Sequence, residues 1–391
     1  MGLARLAAYD VTAERGFLCP YDATAVALDG DLGQVRDLAL RLPELLPAGA
    51  VRKVLDTLTV VPPERIAELD DVQARMAMVH YSFLVQAYVW GAEPPVSALP
   101  PALAIPIAAL AERLGLQPLL QYSGYVLDNW GLLDPAKGVS LDNIYMVQKF
   151  AAGTDEAWFV MVHVAIEARA GAALALFGPL IDAAANGAAD LAEGLLTQIV
   201  AIWAEINALF DRMPEQCDPY IYFRRVRPYI HGWKDNPALG AGIVYRGVKR
   251  FGGLPQAFRG QTGSQSSIVP SMDALLGVGH AADPLRAFLD ELHIYRSPGH
   301  RRFIDDVRRE SGVRGFVQRA GHGPLTQAYN AAVQAVADFR TRHLEYAASY
   351  IHMQGRKSAG NDTEIGTGGT PFMKYLKKHR DETKANLLGV T

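Results

Sequence analysis

Helical spacing of apolar residues runs through almost every regular segment of this 391-residue chain. The clearest example is the uninterrupted stretch from Leu325 to Gln354, which is long enough for about 30 residues of helix. One face of this stretch carries, at helical spacing, Ala332, Val333, Val336, Phe339, His343, Tyr346, Ala347 and Tyr350. Strand-like alternation is scarce, and proline and glycine separate the alanine- and leucine-rich stretches. The sequence therefore predicts an all-α protein.

Two breaks rich in proline and glycine, at 91–101 and 134–138, suggest how the chain divides. A half-apolar chain of this length usually forms more than one domain. We predict a small helical domain over 1–149 and a larger helical domain over 150–391. The stretch from Glu156 to Leu176, apolar nearly all round, is predicted as a central buried helix of the larger domain.

The segment 240–267 is rich in glycine, glutamine and serine, which predicts a long ordered loop. Loops of this length inside compact domains are usually functional.

Charge and composition argue against several classes of partner. The formal net charge is −3 and the basic residues are dispersed, so we expect neither nucleic acid nor a membrane as a partner. The longest charge-free apolar runs, such as 170–181, are shorter than the roughly 18 residues of a membrane span. The N-terminus lacks the apolar core of a secretion signal. Cys19 and Cys217 are too few for a disulfide framework, and we expect a cytoplasmic protein.

His343 lies near the middle of the longest predicted helix, on its inward face. Histidine is the usual proximal ligand of haem iron, and small neighbours such as Ala332 and Ala347 leave room for a flat macrocycle. Arg340, three residues earlier, places a cation on nearly the same face. The alternative is a hydrogen-bonded core histidine without a ligand.

His163 lies on the predicted buried helix, with Phe159 one turn before it and Glu167 one turn after. Its imidazole could exchange a hydrogen bond with a substrate, while Glu167 fixes the tautomer. The alternative is a His–Glu pair that only satisfies itself. A non-haem metal held by His163 and His343 has little support, because no nearby residue completes a His-x-x-x-His or Glu-x-x-His pair with either histidine.

The segment Asp218–Pro228 combines aromatic rings with guanidinium groups. Asp218 is a favourable N-cap and Pro219 a favourable first residue, so a short helix is predicted to begin there. Phe223 and Arg227, four residues apart, share a face that could stack a ring and pair with a carboxylate. The alternative is a solvated basic face.

A glycine-threonine loop, Gly366-Thr367-Gly368-Gly369-Thr370, precedes the last predicted helix. Backbone amides at the start of that helix could bind a carboxylate, and the glycines would let the loop close over a substrate. The alternative is a flexible linker.

An ordered series of motifs spans most of the chain: RGFL at 15–18, AYVWG at 87–91, Tyr122 through Asn129-Trp130, VAIEA at 164–168, GWKDNP at 232–237, QSS at 265–267 and GTGGT at 366–370. This series resembles the indoleamine 2,3-dioxygenase family. The resemblance implies an all-α fold whose smaller N-terminal domain covers the distal side of one haem b. It also implies insertion of O2 across the indole C2–C3 bond of L-tryptophan to give N-formylkynurenine, in the kynurenine pathway, with an unidentified reductant that keeps the iron ferrous.

The resemblance also implies roles for individual residues. His343 matches the proximal haem ligand, Arg227 the arginine that binds the substrate carboxylate, and Thr367 the loop threonine close to the carboxylate and ammonium groups. Other matched residues line the distal pocket, border the haem edge or form an ion pair behind the haem: Tyr122 and Phe159, Thr262 and Gly263, and Asp273 with Arg340, respectively.

This chain departs from the typical family pattern at the distal side. His163 stands where typical members carry serine, and it resembles the distal histidine of tryptophan 2,3-dioxygenases, which contacts the indole N–H. Tyr222 replaces a phenylalanine beside the substrate, and Tyr125 adds bulk near Tyr122. The substrate therefore stays open between L-tryptophan and another indole or aromatic amino acid. A haem-binding sensor without turnover and a haem-free helical scaffold are the rival interpretations.

Overall fold

The computed structural model describes residues 3–356 and 372–389. The α-helices of the first half of the chain are α1 Gly30–Leu40, α2 Leu42–Leu45, α3 Val51–Leu55, α4 Pro63–Ala67, α5 Asp71–Trp90, α6 Pro101–Leu114, α7 Asp155–Leu174 and α8 Phe177–Ala185. Those of the second half are α9 Ala189–Asp211, α10 Pro219–Ile221, α11 Ile268–Leu276, α12 Pro284–His293, α13 Pro298–Glu310, α14 Val313–Ala320, α15 Gly323–Ala347, α16 Met353–Arg356 and α17 Phe372–Lys384. The all-α prediction is confirmed.

The described chain also has short strands of two or three residues: β1 Ala98–Leu99, β2 Trp130–Leu132, β3 Ile144–Met146, β4 Ile243–Tyr245 and β5 Pro255–Gln256. β1 pairs in parallel with β4, and β4 pairs antiparallel with β5. β2 and β3 form a separate antiparallel pair, with Gly131 opposite Tyr145. The segment predicted as a long loop thus contains β4 and β5, which fasten it to the break between α5 and α6.

The helices that position the site form a packed group. α15 packs against α9 and α17, and α9 also packs against α7. α7 agrees with the predicted central helix: Val160, Val162 and Val164 are fully buried, as is Glu167. The proposed domain boundary near residue 150 stays a prediction, because one continuous hydrophobic core includes residues from both sides of it.

By length and composition alone, the helical stretch Asp155–Ala185 could cross a membrane. However, 61% of its most apolar window is buried inside the protein, and the core helix of a soluble protein passes the same test.

Within the described residues, three turns of π-helix interrupt the regular backbone, at Ser123–Leu127, Tyr222–Val226 and Ala348–His352. The third ends the regular part of α15, so the stretch predicted as one helix continues through a π turn into α16. Single π turns are often found at functional sites because they redirect side chains within a helix. The second π turn carries the predicted substrate residues Tyr222 and Phe223.

The N-terminal segment packs onto α7 through two glycines. Gly16 has φ +58°, and a Cβ on it would lie 2.1 Å from the carbonyl oxygen of Glu167. A Cβ on Gly171 would lie 2.5 Å from the amide nitrogen of Gly16. Only glycine allows both the left-handed backbone and this close approach. This contact connects the start of the chain to the helix that carries His163.

Candidate active site

Two adjoining cavities lie between α7, α15, α17 and the loop before α11. The smaller has a volume of about 150 Å³ and the larger about 600 Å³. His163 from α7 and His343 from α15 line both cavities. The structure therefore brings together the two histidines that the sequence singled out, although they are 180 residues apart.

His343 presents an imidazole with no hydrogen-bond partner among the described residues. Burial, with smaller contributions from His163 and Arg340, lowers the pKa of His343 to about 4. The ring is therefore neutral at pH 7 and offers a nitrogen lone pair. A neutral imidazole that faces a cavity of cofactor size, roughly 300–1,000 Å³, fits a haem ligand.

An ion pair stands beside His343 in the wall of the larger cavity. Arg340 donates to both oxygens of Asp273, at 3.0 and 2.6 Å, and also to Thr383. Although burial raises the pKa of Asp273, Arg340 and His280 lower it overall. The predicted pairing is confirmed, whereas its contribution to haem binding stays a prediction.

His163 has a defined tautomer. Its Nδ1 lies 2.7 Å from the backbone carbonyl oxygen of Phe159. A carbonyl oxygen can only accept, so Nδ1 carries the proton. Burial lowers the pKa of His163, which keeps the ring neutral and leaves Nε2 as an acceptor. The expectation that Glu167 fixes this tautomer is wrong, because the carbonyl of Phe159 does so.

Glu167 instead joins three segments of the chain. The hydroxyls of Tyr122 and Ser266 donate to its Oε1, at 3.0 and 2.8 Å. Burial raises the pKa of Glu167 to about 7. The side chain of Gln265 accepts from the amide of Tyr122 at 2.9 Å. These bonds hold Tyr122, in the wall of the larger cavity, against the loop before α11.

Aromatic rings form one wall of the smaller cavity. The ring centroid of Phe159 lies 4.5 Å from that of His163 and 4.6 Å from that of Tyr222. Tyr350 meets Tyr222 edge to face at 5.9 Å. Tyr125 lines neither cavity: it lies behind Phe159, with its hydroxyl 3.3 Å from Glu156.

Arg227 is 1% exposed, although it follows two exposed arginines in the chain. It lies in the smaller cavity just after the second π turn, and its Nη1 is 3.2 Å from Nε2 of His231. Since a guanidinium only donates, this nitrogen of His231 must accept. Burial and the charge of Arg227 lower the pKa of His231 to about 3, so it stays neutral. A solvated basic face is thus wrong for Arg227, although it describes Arg224 and Arg225.

The side chain of Phe223 is fully buried beneath the guanidinium of Arg227, whose Cζ lies 5.6 Å from the ring centroid. The predicted shared face is therefore present, but Phe223 does not line either cavity. Asp218 caps the short helix before it, accepting from the amides of Tyr220 and Ile221. This cap is as predicted and fixes where the π turn begins.

Thr262 and Gly263 line the smaller cavity, and Gly263 also lines the larger one. The hydroxyl of Thr262 accepts from the amide of Ser264, at 3.4 Å, and so caps the turn Gly263–Gln265. Thr367 and the rest of the loop 366–370 lie outside the described residues, so their predicted role stays a prediction.

Sequence reasoning missed His231, which contacts Arg227, and His379 on α17, which lines both cavities. His231 lies four residues after Arg227, a spacing that could have indicated contact in a helical segment. His379 precedes Glu382 by three residues, which indicates a shared helix face. The side chains around His231 and His379 come from distant parts of the chain, and no local sequence pattern predicts such contacts.

Comparison with known proteins identifies the family of this chain. Residues 5–386 match the indoleamine 2,3-dioxygenase family. Indoleamine 2,3-dioxygenase 1 of Rattus norvegicus is 33% identical over 365 residues, covering 90% of this chain and 88% of the relative. Indoleamine 2,3-dioxygenase 2 of Homo sapiens is 28% identical, with 98% and 95% covered, and an indoleamine 2,3-dioxygenase of Aspergillus nanangensis is 30% identical, with 97% and 96% covered. The chain therefore belongs to the indoleamine 2,3-dioxygenase family of haem-dependent oxidoreductases.

Proposed function

We propose that this enzyme inserts both atoms of O2 across the indole C2–C3 bond of L-tryptophan and releases N-formylkynurenine. The observation that carries the proposal is that Arg227 and His163 line the same aromatic cavity. Arg227 offers a buried cation, while His163 offers a neutral acceptor. L-Tryptophan has a complementary group for each: a carboxylate and an indole N–H.

Arg227 is suited to bind the carboxylate. Its guanidinium is a fork of donors, and charge-assisted bonds from such a fork to a carboxylate are strong and directional. His231, kept neutral by its lowered pKa, accepts from Nη1 and helps to orient the guanidinium. Burial in an apolar wall strengthens the attraction for a carboxylate that enters.

His163 is suited to accept from the indole N–H. Its Nδ1 proton is donated to the carbonyl oxygen of Phe159, which leaves Nε2 as the acceptor of a residue that lines the cavity. Phe159, tilted against His163, and Tyr222, tilted against Phe159, provide the apolar contacts that an indole ring needs. Because both ends of the substrate are held, the C2–C3 bond takes one orientation, and correct orientation supplies a large part of a rate enhancement.

The haem implied by the family would be held by His343 and would supply the activation of O2. The described residues contribute the rest: a buried cavity, an ion pair beside the ligand and two points of attachment for the substrate. Burial lowers the pKa of His163, which makes its imidazole a weak base at pH 7. Glu167 does not line the smaller cavity, and its Oε1 accepts from Tyr122 and Ser266. His163 therefore positions the substrate and does not deprotonate it.

Tyr222 favours one second candidate, the oxidation of another indole that carries a polar substituent. Its hydroxyl has no hydrogen-bond partner among the described residues, although the side chain is only 7% exposed and lines the smaller cavity. A hydroxyl on a residue that lines a cavity can exchange hydrogen-bonded water for a polar group of a ligand. A hydroxylated indole would supply one on the substrate itself.

The proposal is tested by product analysis. Haem-loaded protein, reduced chemically, is given L-tryptophan or a hydroxytryptophan with isotopically labelled O2. We expect N-formylkynurenine that carries both labelled oxygens, and we expect His343→Ala to lose the haem absorption and the product together. Retention of haem with L-tryptophan untouched and the hydroxyindole consumed would reject the first candidate and support the second. Haem bound with neither substrate consumed would reject both.

A further inference from the structure

A cluster of metal-ligating side chains lies where α17 meets the loop after α11. His379 and Glu382 are one turn apart on α17, and His280 belongs to the loop. One potential ligand atom from each residue lies within 4.8 Å of the other two. This spacing is close enough for a single ion to contact all three.

His280 is held between two carboxylates. Its Nδ1 lies 2.7 Å from Oε2 of Glu382, and its Nε2 lies 3.2 Å from Oδ2 of Asp273. Arg340 in turn fixes Asp273. A carboxylate on one imidazole nitrogen orients the ring and makes the other nitrogen a better metal ligand. Asp273 therefore leaves Nδ1 of His280 as the atom that would face a metal, next to Oε2 of Glu382.

His379 and Glu382 also keep ligand atoms available for a metal. Nε2 of His379 is buried without a hydrogen-bond partner among the described residues, and its ring centroid lies 5.1 Å from that of His280. Oε1 of Glu382 accepts from the amide of Ala281, at 3.3 Å, and lies 3.5 Å from Nζ of Lys378. These contacts position the carboxylate and leave Oε2 for a ligand.

We propose that His280 Nδ1, Glu382 Oε2 and one nitrogen of His379 form a binding site for a divalent transition metal of the zinc class, separate from the haem iron. Two imidazoles and one carboxylate are a ligand set that zinc accepts in tetrahedral geometry. Binding would release the proton that His280 and Glu382 share, because both must present a lone pair to the ion. Three protein ligands would leave one position for water on the side of the larger cavity, which His280 and His379 line.

A second group, Asp190, Glu193 and His322, has a similar spacing but a weaker case. The side chains of Asp190 and Glu193 are 96% and 36% exposed, and that of His322 is 31% exposed. Exposed acidic groups of this kind are solvated without a metal. His322 therefore provides a matched control: a histidine near two carboxylates, at the N-terminal end of α15 and 21 residues before His343.

The test is equilibrium dialysis of the haem-loaded, full-length protein against micromolar Zn²⁺, followed by elemental analysis. Zinc is counted separately from iron, so the result does not depend on turnover of any substrate. We expect one zinc per chain in the wild type and in His322→Ala, and less than a tenth of that in His379→Ala and in Glu382→Gln. Loss of an outer-shell partner alone typically weakens metal binding by roughly 10–100-fold, and loss of a ligand weakens it at least as much.

X-ray absorption at the zinc edge of the wild type gives an independent test that needs no variant. We expect scattering from two imidazoles and a first shell at about 2.0–2.1 Å. Absence of zinc from the wild type, a shell without imidazole, or zinc retained by both α17 variants and lost from His322→Ala would each overturn the proposal. Circular dichroism and haem absorption report whether a variant is folded, and if one is not, the spectrum of the wild type decides.

Discussion

Replacing His163 by phenylalanine separates its hydrogen bond from its packing. Phenylalanine is a flat ring that can keep the edge contacts with Tyr122 and Phe210, whose centroids lie 6.3 and 6.1 Å away. It removes the Nε2 acceptor that the carbonyl of Phe159 orients. The backbone of α7 is unaffected, since that carbonyl also belongs to the helix. The variant therefore tests one interaction, the bond from the indole N–H.

The expected size of the effect follows from the burial of the site. Without His163, the indole N–H is desolvated and unpaired, which costs about 1–3 kcal/mol. Because roughly 1.4 kcal/mol corresponds to a factor of ten, kcat/KM for L-tryptophan should fall about 5- to 150-fold. A fall of several thousandfold would indicate that His163 takes part in proton transfer.

The assay compares L-tryptophan with 1-methyl-L-tryptophan, which has no indole N–H to donate. The methylated substrate should be a poor substrate of the wild type, and His163→Phe should change its kcat/KM little. The two changes, one in the protein and one in the substrate, form a cycle that isolates the hydrogen bond. An equal loss of kcat/KM for both substrates, with the haem absorption retained, would refute the reasoning. Loss of haem would indicate that His163 lies on the proximal, ligand side of the iron.

Three further predictions concern the carboxylate site, the N-terminal contact and a buried acid. Arg227→Met should lower kcat/KM for L-tryptophan by about 100-fold or more, because a buried charge-assisted pair is lost. In the same steady-state assay, kcat/KM for tryptamine, which lacks the carboxylate, should be nearly unchanged. Arg227→Lys should recover only part of the loss. Gly16→Ala should lower the free energy of unfolding by more than about 1–3 kcal/mol, since its Cβ would lie 2.1 Å from a backbone oxygen at φ +58°; denaturant titration measures this, with Gly30→Ala as the control in which the Cβ meets no atom within 4 Å. Burial raises the pKa of Glu167 to about 7 from an unfolded value of 4.5. Its contribution to the free energy of unfolding is therefore fully present below pH 4.5 and is lost as the pH rises through 7. Glu167→Gln should reduce this pH-dependent loss by roughly 3 kcal/mol at most, whereas an unchanged pH profile of unfolding would contradict the raised pKa.

The sequence predicted the helices better than the contacts between them. The spacing of apolar residues indicated α15 and placed His343 on its inner face, because this periodicity is local. The π turn at Ala348–His352 was not predicted, since no residue type marks it. β1 and β4 escaped notice because each is only two or three residues long and their pairing joins segments about 145 residues apart.

In the candidate site too, the sequence predicted the residues better than the contacts between them. Arg227 and His163 were identified from their neighbours in the chain and from the family resemblance. The tautomer of His163 was assigned to the wrong partner, because Glu167 has better acceptor contacts with two distant hydroxyls, those of Tyr122 and Ser266. A side chain one turn away on a helix is a possible partner, but long-range packing decides which contact forms.

The polar groups of the smaller cavity restrict which substrates it can hold. Arg227 can only donate and carries a charge, so it selects an acceptor anion; His163 is neutral with Nδ1 protonated, so its free nitrogen selects a donor. A molecule with both groups on a flat apolar frame satisfies the cavity in a single orientation. Reversing it would place the carboxylate against a lone pair and the N–H against a cation, and each mismatch leaves a buried polar group unpaired. Tyr222 differs from Arg227 and His163 because a hydroxyl can donate or accept, so it tolerates a donor or an acceptor substituent on the substrate. We therefore expect Tyr222 to determine which substituted indoles the enzyme accepts.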